Sequence, residues 1–242
     1  MISVIIPSMS MKRKKNPKHF FRKVTSLPDL LNDLDNNVET EIEIIIVVNG
    51  TKDKKLLDFV QTRKNDKVII NSHNVGVARA WNMGRHMAEG DYLLYLNDDV
   101  QVHPGSIEKM LEVYKEEPNA GNVGPQGSRW ENFAHAEFMG TEKREVSTVV
   151  SGFAFMVRTE TYDKIGGFDD FYTPAGFEEI DFCYQINKLG LHCIVDPDIN
   201  ITTEPRHGIS ALNTNIKYLN SEINTKDLNE RNKSYFESKW KN

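Results

Sequence analysis

An α/β fold on a largely parallel sheet is the prediction, and three features of the chain make it. Short apolar runs of strand length alternate with helical segments over the first 120 residues, the pattern of strand–helix–strand units. The run Tyr92–Leu96 is apolar throughout and stops abruptly at Asn97, Asp98 and Asp99; a strand of that kind is covered on both faces. With 39% hydrophobic residues among 242, the chain can fill the interior of one sizeable domain.

The elements follow in order. Ser3–Ile6 is the first strand, stopped by Pro7 and Ser8, and the basic run Lys12–Lys15 follows it. A helix is expected over about 27–34, then the buried strand Glu43–Val48, closed by the turn pair Asn49-Gly50. Leu56, Leu57 and Val60 mark a helical face, and Val68–Ile70 a short strand. Ala80, Met83 and Met87 recur at offsets of three and four within 74–89, so that segment is a helix, with Gly90 placed as its C-terminal cap. After Tyr92–Leu96, His103-Pro104 opens a helix carrying Ile107, Leu111 and Tyr114. The second half reads as a strand region at 146–157 interrupted by Ser151-Gly152, a helix over 178–189 and a late strand at 192–195. Ile209, Leu212, Ile216, Leu219 and Ile223 alternate steps of three and four, which predicts a helical tail. That tail packs back onto the domain, or offers its apolar side to a second copy, a partner or a membrane surface. The expected architecture is one Rossmann-like domain over 1–242: a nucleotide-binding half (1–120), an acceptor-binding half (121–208) and the tail (209–242).

Composition narrows the class. A net charge of −5 gives no footprint for nucleic acid. Cys183 and Cys193 fit no metal spacing and read as free thiols in a reducing compartment. No apolar stretch approaches the ~20 residues of a membrane span, and Met1–Pro7 reads as a strand without a basic leader. A cytoplasmic protein is expected, free or peripheral to a membrane.

Ligands of open α/β sheets collect beyond the carboxyl ends of the strands. Carboxylates placed there, as at Asn97–Asp99, suit a hard divalent cation and the phosphates it bridges; the alternative is a solvated acidic turn. Glu178, Glu179 and Asp181 crowd one helical start. Acids in a first turn stabilise the helix dipole by ~0.3–1 kcal/mol, and three within four residues exceed that need. Asn74-Val-Gly-Val-Ala-Arg79 stands at another helix start, where backbone N–H groups and Arg79 can meet an anion, or where Arg79 is simply solvated. Lys12–Lys15 is a phosphate contact or a solvated loop. Trp130 and Phe133, expected in a loop, stack on a sugar or fill the core.

The segments 3–7, 43–51, Asn74-Val-Gly76 with Asn82-Met-Gly84, Tyr95–Asp99, Gly166–Asp170 and Phe177–Asp181 together resemble the family 2 glycosyltransferases of the GT-A fold, over nearly the whole chain and with rhamnosyltransferase-like members nearest in motif pattern. The resemblance implies a mixed, mostly parallel sheet flanked by helices. It also implies an inverting, metal-dependent hexosyl- or deoxyhexosyltransferase, acting from a UDP- or dTDP-sugar on the hydroxyl of a glycan or other acceptor. By that resemblance Asp99 is the metal ligand of an Asp-x-Asp-like triplet, with His207 as a further ligand and Mn²⁺ or Mg²⁺ as the ion. Pro7, Ser8, Asn49, Asn74, Arg79, Asn97 and Asp98 are implied donor contacts. Glu179 is the implied catalytic base, and Trp130, Gly152, Glu178 and Asp181 support the acceptor or the base. Three departures stand out: Asn97 replaces the first Asp, Val48 stands where relatives place a base-recognising acid, and Gln185 replaces an Arg four residues after the last acid. They keep a second reading open, a catalytically inactive module that binds a nucleotide sugar or glycan.

Overall fold

The first strand decides the architecture. In β1 (Ile2–Ser8), Ile2, Val4 and Ile6 enter one apolar layer while Ile5 enters another. The strand period of two thus needs cover on both faces. The structure is a computed structural model that describes residues 1–11, 25–203 and 213–241.

Helix α1 (Leu27–Asn37) leads to β2 (Ile42–Asn49), α2 (Lys54–Thr62), β3 (Lys67–Asn71), α3 (Val77–Met87) and β4 (Tyr92–Leu96). Next come β5 (Val100–Val102), α4 (Ser106–Glu116), β6 (Ala120–Gly124), β7 (Gly127–Glu131) and β8 (Ala134–Met139). Short strands β9 (Glu145–Ser147) and β10 (Val149–Val150) precede β11 (Ala154–Arg158) and α5 (Thr159–Ile165). A 3-10 turn at Asp170–Tyr172 leads into α6 (Glu178–Lys188), followed by β12 (His192–Val195) and β13 (Ile201–Thr203). The described chain closes with β14 (Asn215–Tyr218), β15 (Ser221–Asn224) and α7 (Thr225–Trp240).

Eight strands form the main sheet in the order β3-β2-β1-β4-β11-β6-β12-β9. Strands β1 to β4 are parallel, and β6 pairs in parallel with β12. Only β11 and β9 run against the rest, so the sheet is mixed and mostly parallel, as expected. One layer buries Leu27, Leu30, Leu56, Val60, Ile107 and Met110 of α1, α2 and α4. The opposite layer buries Trp81 of α3, Tyr162 of α5, Phe182 and Ile186 of α6, and Phe236 of α7. Cys183 and Cys193 are buried free thiols. Among the described residues no helix is long and apolar enough to cross a membrane.

The structure corrects three expectations. Trp130 and Phe133 belong to the β7–β8 hairpin rather than a loop, Trp130 in the strand and Phe133 at its tip with φ 63°. Nearly all of β8 is exposed on both sides, so the strand carries no apolar alternation to detect. The stretch 215–224 is a β-hairpin, not a helix. Ile216 and Ile223 face each other across it, and Leu219 turns the chain at φ 52°. A separation of seven residues joins hairpin partners here as readily as it spans two helical turns, which is why the spacing misled. Ile209 and Leu212 lie outside the described residues, and α7 packs onto the domain with Leu228 and Phe236 fully buried. Finally, α3 is capped by Ala88 rather than Gly90. Gly90 instead donates its N–H to Ser3 Oγ at 2.8 Å, and a Cβ there would come within 2.7 Å of the Ser3 backbone nitrogen.

Helix α3 lies close on β1 because Gly84 has no side chain: a Cβ would meet Ile5 Cγ2 at 2.4 Å. Gly84→Ala gains up to about 1 kcal/mol of helix propensity but overpacks a buried strand at about 1–3 kcal/mol. A net loss of about 1–2 kcal/mol in urea denaturation is the expected outcome, and an unchanged midpoint would contradict this packing.

Candidate active site

Parallel pairing places the ends of β1, β2 and β4 on one edge of the sheet. Ile5 pairs with Tyr95, so three residues on Ser8 stands beside Asp98. There Ser8 Oγ donates to Asp98 Oδ2 at 2.6 Å, and both residues are buried. Asp98 is thereby fixed by β1, while Asn97 and Asp99 are half-buried beside it, as is Pro7. Ser8 acts on Asp98 rather than outward.

The pair β4–β11 brings the second half of the chain to this edge. Ala154 pairs with Leu96, and Asn97 N donates to Phe153 O at 2.9 Å. One residue earlier, Gly152 lies against Glu179: a Cβ there would be 3.2 Å from Glu179 Cγ. Glu179 therefore rests beside the backbone that holds Asn97. The acidic triplet and the start of α6 meet, although about eighty positions separate them.

The three acids of α6 have different surroundings. The chain enters α6 through Gly176 at φ 95° and Phe177 at φ 78°; the latter is left-handed backbone that costs a residue with a Cβ about 1–2 kcal/mol. Glu178 is buried, and its Oε2 has no hydrogen-bond partner. Burial, then the neighbouring Glu179, pushes its carboxyl well above the usual carboxylate range. Burial likewise raises Glu179, against bonds from backbone N–H groups. Asp181 is wholly buried but satisfied. Trp240 Nε1 (2.8 Å) and Tyr172 Oη (3.1 Å) donate to Oδ1, while Lys239 Nζ (2.9 Å) and Gln185 Nε2 (2.9 Å) donate to Oδ2. Its oxygens are engaged within the protein, which matches the base-supporting alternative of the two expected for it.

Other expected contacts are reassigned on the same ground. Asn49 is buried; its Oδ1 accepts from Val75 N at 2.9 Å and its Nδ2 donates to Asn74 Oδ1 at 3.2 Å. Asn74 in turn accepts from Gly76 N at 2.9 Å and donates to Lys217 O at 2.9 Å. Both amides shape the loop before α3 instead of presenting a face to a base. The first N–H of that helix is also engaged, since Val77 N donates to Pro174 O at 2.9 Å. Arg79 pairs with Asp170 at 3.1 Å and donates to Tyr218 Oη at 2.6 Å, tying α3 to the 3-10 turn before α6 and to the hairpin. Trp130 packs on Phe177 and Phe236, so it supports the entry to α6 from behind.

Asn82 explains why Gly166–Asp170 has its shape. Its Nδ2 donates to Phe168 O at 2.9 Å and Asp170 Oδ1 at 3.2 Å, and its Oδ1 accepts from Phe168 N at 3.0 Å. Lys239, Trp240 and Asp169 were not singled out from sequence, since only the fold brings them to α6. His207 and Lys12–Lys15 lie outside the described residues. The strand leading toward His207 ends at Thr203, paired with Val100, the residue after Asp99. No group of three or more metal-ligating side chains occurs among the described residues. The oxygen donors Asp98 and Asp99 still fit a hard divalent ion that takes one or two carboxylates and completes its shell from substrate phosphates.

Against known proteins, a family model described as glycosyl transferase family 2 matches residues 20–167. An uncharacterized glycosyltransferase of Haemophilus influenzae is 26% identical over 200 residues, covering 77% of this chain and 62% of that protein. The N-acetylglucosaminyl-diphospho-decaprenol L-rhamnosyltransferase of Mycobacterium tuberculosis is 23% identical, covering 75% and 72%. Among solved structures, GalNAc-T7 with UDP, GalNAc and Mn²⁺ superposes with a TM-score of 0.65 at 15% identity, covering 81% of this chain and 42% of that one. S. aureus TarS 1–349 in complex with UDP gives 0.55 at 20% identity, covering 75% and 53%. These likenesses establish the GT-A fold, and the chain spans about half the length of the solved neighbours.

Glu178 yields a stability test. Its native carboxyl binds a proton that the unfolded chain releases once pH rises past the ordinary value of 4.5, so native stability falls as pH climbs above that value. Glu178→Gln removes the charge. Its Tm should exceed wild type at pH 7–8, and the gain should vanish near pH 4.5. A loss of equal size at both pH values would contradict this assignment.

Proposed function

This chain belongs to glycosyl transferase family 2, and from that premise we propose that it is an inverting glycosyltransferase using a nucleotide-diphosphate sugar and an acceptor hydroxyl. The observation that carries the reading is Glu179 resting on Gly152, one residue from the carbonyl bound by Asn97. A carboxyl raised by burial and resting on the backbone next to the one that holds Asn97 is suited to general-base work.

Glu179 takes the proton from the acceptor hydroxyl. That oxygen forms its bond to the anomeric carbon from the face opposite the leaving group. The bond from the anomeric carbon to the diphosphate oxygen breaks, and its electron pair leaves with the nucleoside diphosphate. One bond forms as one breaks, so no nucleophilic side chain is required. Glu178, held protonated by burial and by its neighbour's charge, leaves Glu179 as the ionised member of the pair. Asp99, with Asp98 and His207, would hold Mn²⁺ or Mg²⁺, which supplies Lewis-acid neutralisation of the departing diphosphate. Asn97 and Pro7 frame the donor on the same edge, and Ser8 holds Asp98 there.

The UDP complexes of the two fold neighbours support a UDP-type donor, and the similarity to an L-rhamnosyltransferase supports a deoxyhexose and keeps dTDP in range. The acceptor class that best fits the latter relative is a lipid-diphosphate-linked saccharide. Such an acceptor places the protein at the surface of a membrane.

Incubation with UDP- and dTDP-sugars plus Mn²⁺ should release nucleoside diphosphate. Glu179→Gln should lower kcat by ~10²–10⁴ while keeping donor affinity; unchanged turnover would remove Glu179 from the mechanism. Asp99→Ala should abolish the metal dependence of donor binding, read by thermal shift, and normal metal-dependent affinity would refute that ligand.

A further inference from the structure

Helix α7 grips the segment that presents Glu179 at five places. Asn232 is fully buried and its Nδ2 donates to Tyr172 O, Ala175 O and Gly176 O at 3.0, 3.1 and 2.7 Å. Arg231 donates to Phe171 O and Thr173 O at 3.1 and 2.5 Å. Tyr235 Oη reaches Asp169 Oδ2 at 2.9 Å, and Trp240 Nε1 reaches Asp181 Oδ1 at 2.8 Å. Lys239 joins both ends of the segment: its Nζ lies 2.8 Å from Asp169 Oδ2 and 2.9 Å from Asp181 Oδ2.

These contacts differ in kind. Carbonyl bonds from Asn232 and Arg231 hold the loop, whereas Lys239 answers charge. Asp181 lies two residues from Glu179 in the first turn of α6, and its side chain is 1% exposed. Deprived of its cation, a buried carboxylate drives local rearrangement toward water, because an unpaired charge is costly in such a place. Asp181 belongs to that first turn, entered through left-handed backbone at Phe177, and displacing the turn lifts Glu179 away from Gly152. Burial works against the Lys239 ammonium, but its bonds to the two carboxylates outweigh that effect and keep it charged.

Resting on the transferase reading, we infer that Lys239 is a positioning residue for the transfer step: by bridging Asp169 and Asp181 it fixes the first turn of α6 so that Glu179 stays beside Gly152. Lys239 acts through the two carboxylates that its Nζ bridges. The donor edge, built on β1 and β4, does not depend on it. Loss of the cation therefore falls on turnover and spares donor binding. A residue that merely stabilised the fold would lower the active fraction and leave kcat per folded molecule unchanged.

The test uses Lys239→Met, Lys239→Arg and Trp240→Phe in the full chain. Release of nucleoside diphosphate is followed from UDP-N-acetylglucosamine, UDP-glucose and dTDP-rhamnose with Mn²⁺, and normalised to folded protein. Lys239→Met should lower kcat on the order of 10–100-fold, the scale of a misplaced catalytic group, with donor KM within about twofold. Lys239→Arg, which can bridge the same carboxylates, should restore most of the loss. Trp240→Phe removes one hydrogen bond to Asp181 and should show a smaller loss of the same sign, which serves if Lys239→Met does not fold. Wild-type turnover in Lys239→Met, or no recovery in Lys239→Arg, overturns the Lys239 inference alone. In the Trp240→Phe arm, unchanged kcat or a loss confined to KM does the same. Absence of release by the wild-type chain from all three donors defeats the transferase reading and takes the inference with it.

Discussion

The antiparallel pairing of β4 with β11 is the joint on which the molecule depends. The strands on the β1 side of it are parallel and end on one edge, where Ser8 and Asp98 bond to each other. The chain beyond it must return to that edge in the opposite direction, and β11 does so by pairing Ala154 with Leu96. One further bond, Asn97 N to Phe153 O, sets the acidic triplet and Gly152 within a residue of each other. Everything proposed for Glu179 follows from that seam, since Gly152 is what the side chain rests on.

Neighbouring carboxylates need not share a chemistry. Glu178 is buried with an unpartnered oxygen, so burial and its neighbour favour its neutral form. Glu179 sits beside it, half-buried and raised by burial alone. Asp181 is the most buried of the three, yet its oxygens take four donors from Tyr172, Gln185, Lys239 and Trp240. Environment rather than residue type divides the cluster into a proton holder, the base proposed for transfer and an anchor.

Much of the sheet and the acidic edge could be read from the chain. Pure apolar runs at 44–48 and 92–96 leave no other home than a doubly covered strand, and a triplet of polar residues ending one of them marks the ligand side. Strand β8 escaped because exposed residues carry no period, and the 215–224 hairpin because its cross-strand partners mimic a helical repeat. Side-chain roles were legible less often. Asn49, Asn74 and Arg79 bear groups that bind a nucleotide or a neighbouring loop equally well, and only the fold shows that they hold the loop before α3 and the hairpin. Lys239 lay beyond reach for a plainer reason: Asp181 is 58 positions earlier, and no local pattern links them.

That separation sets an order on biosynthesis. Ribosomes add roughly 5–20 residues per second, so Asp181 is made some seconds before the lysine that answers it. During that interval the nascent chain carries the acids of α6 without their counter-charge or the indole and amide donors of α7. The sheet can assemble first, but the turn bearing Glu179 gains these partners only after α7 has been made and has docked.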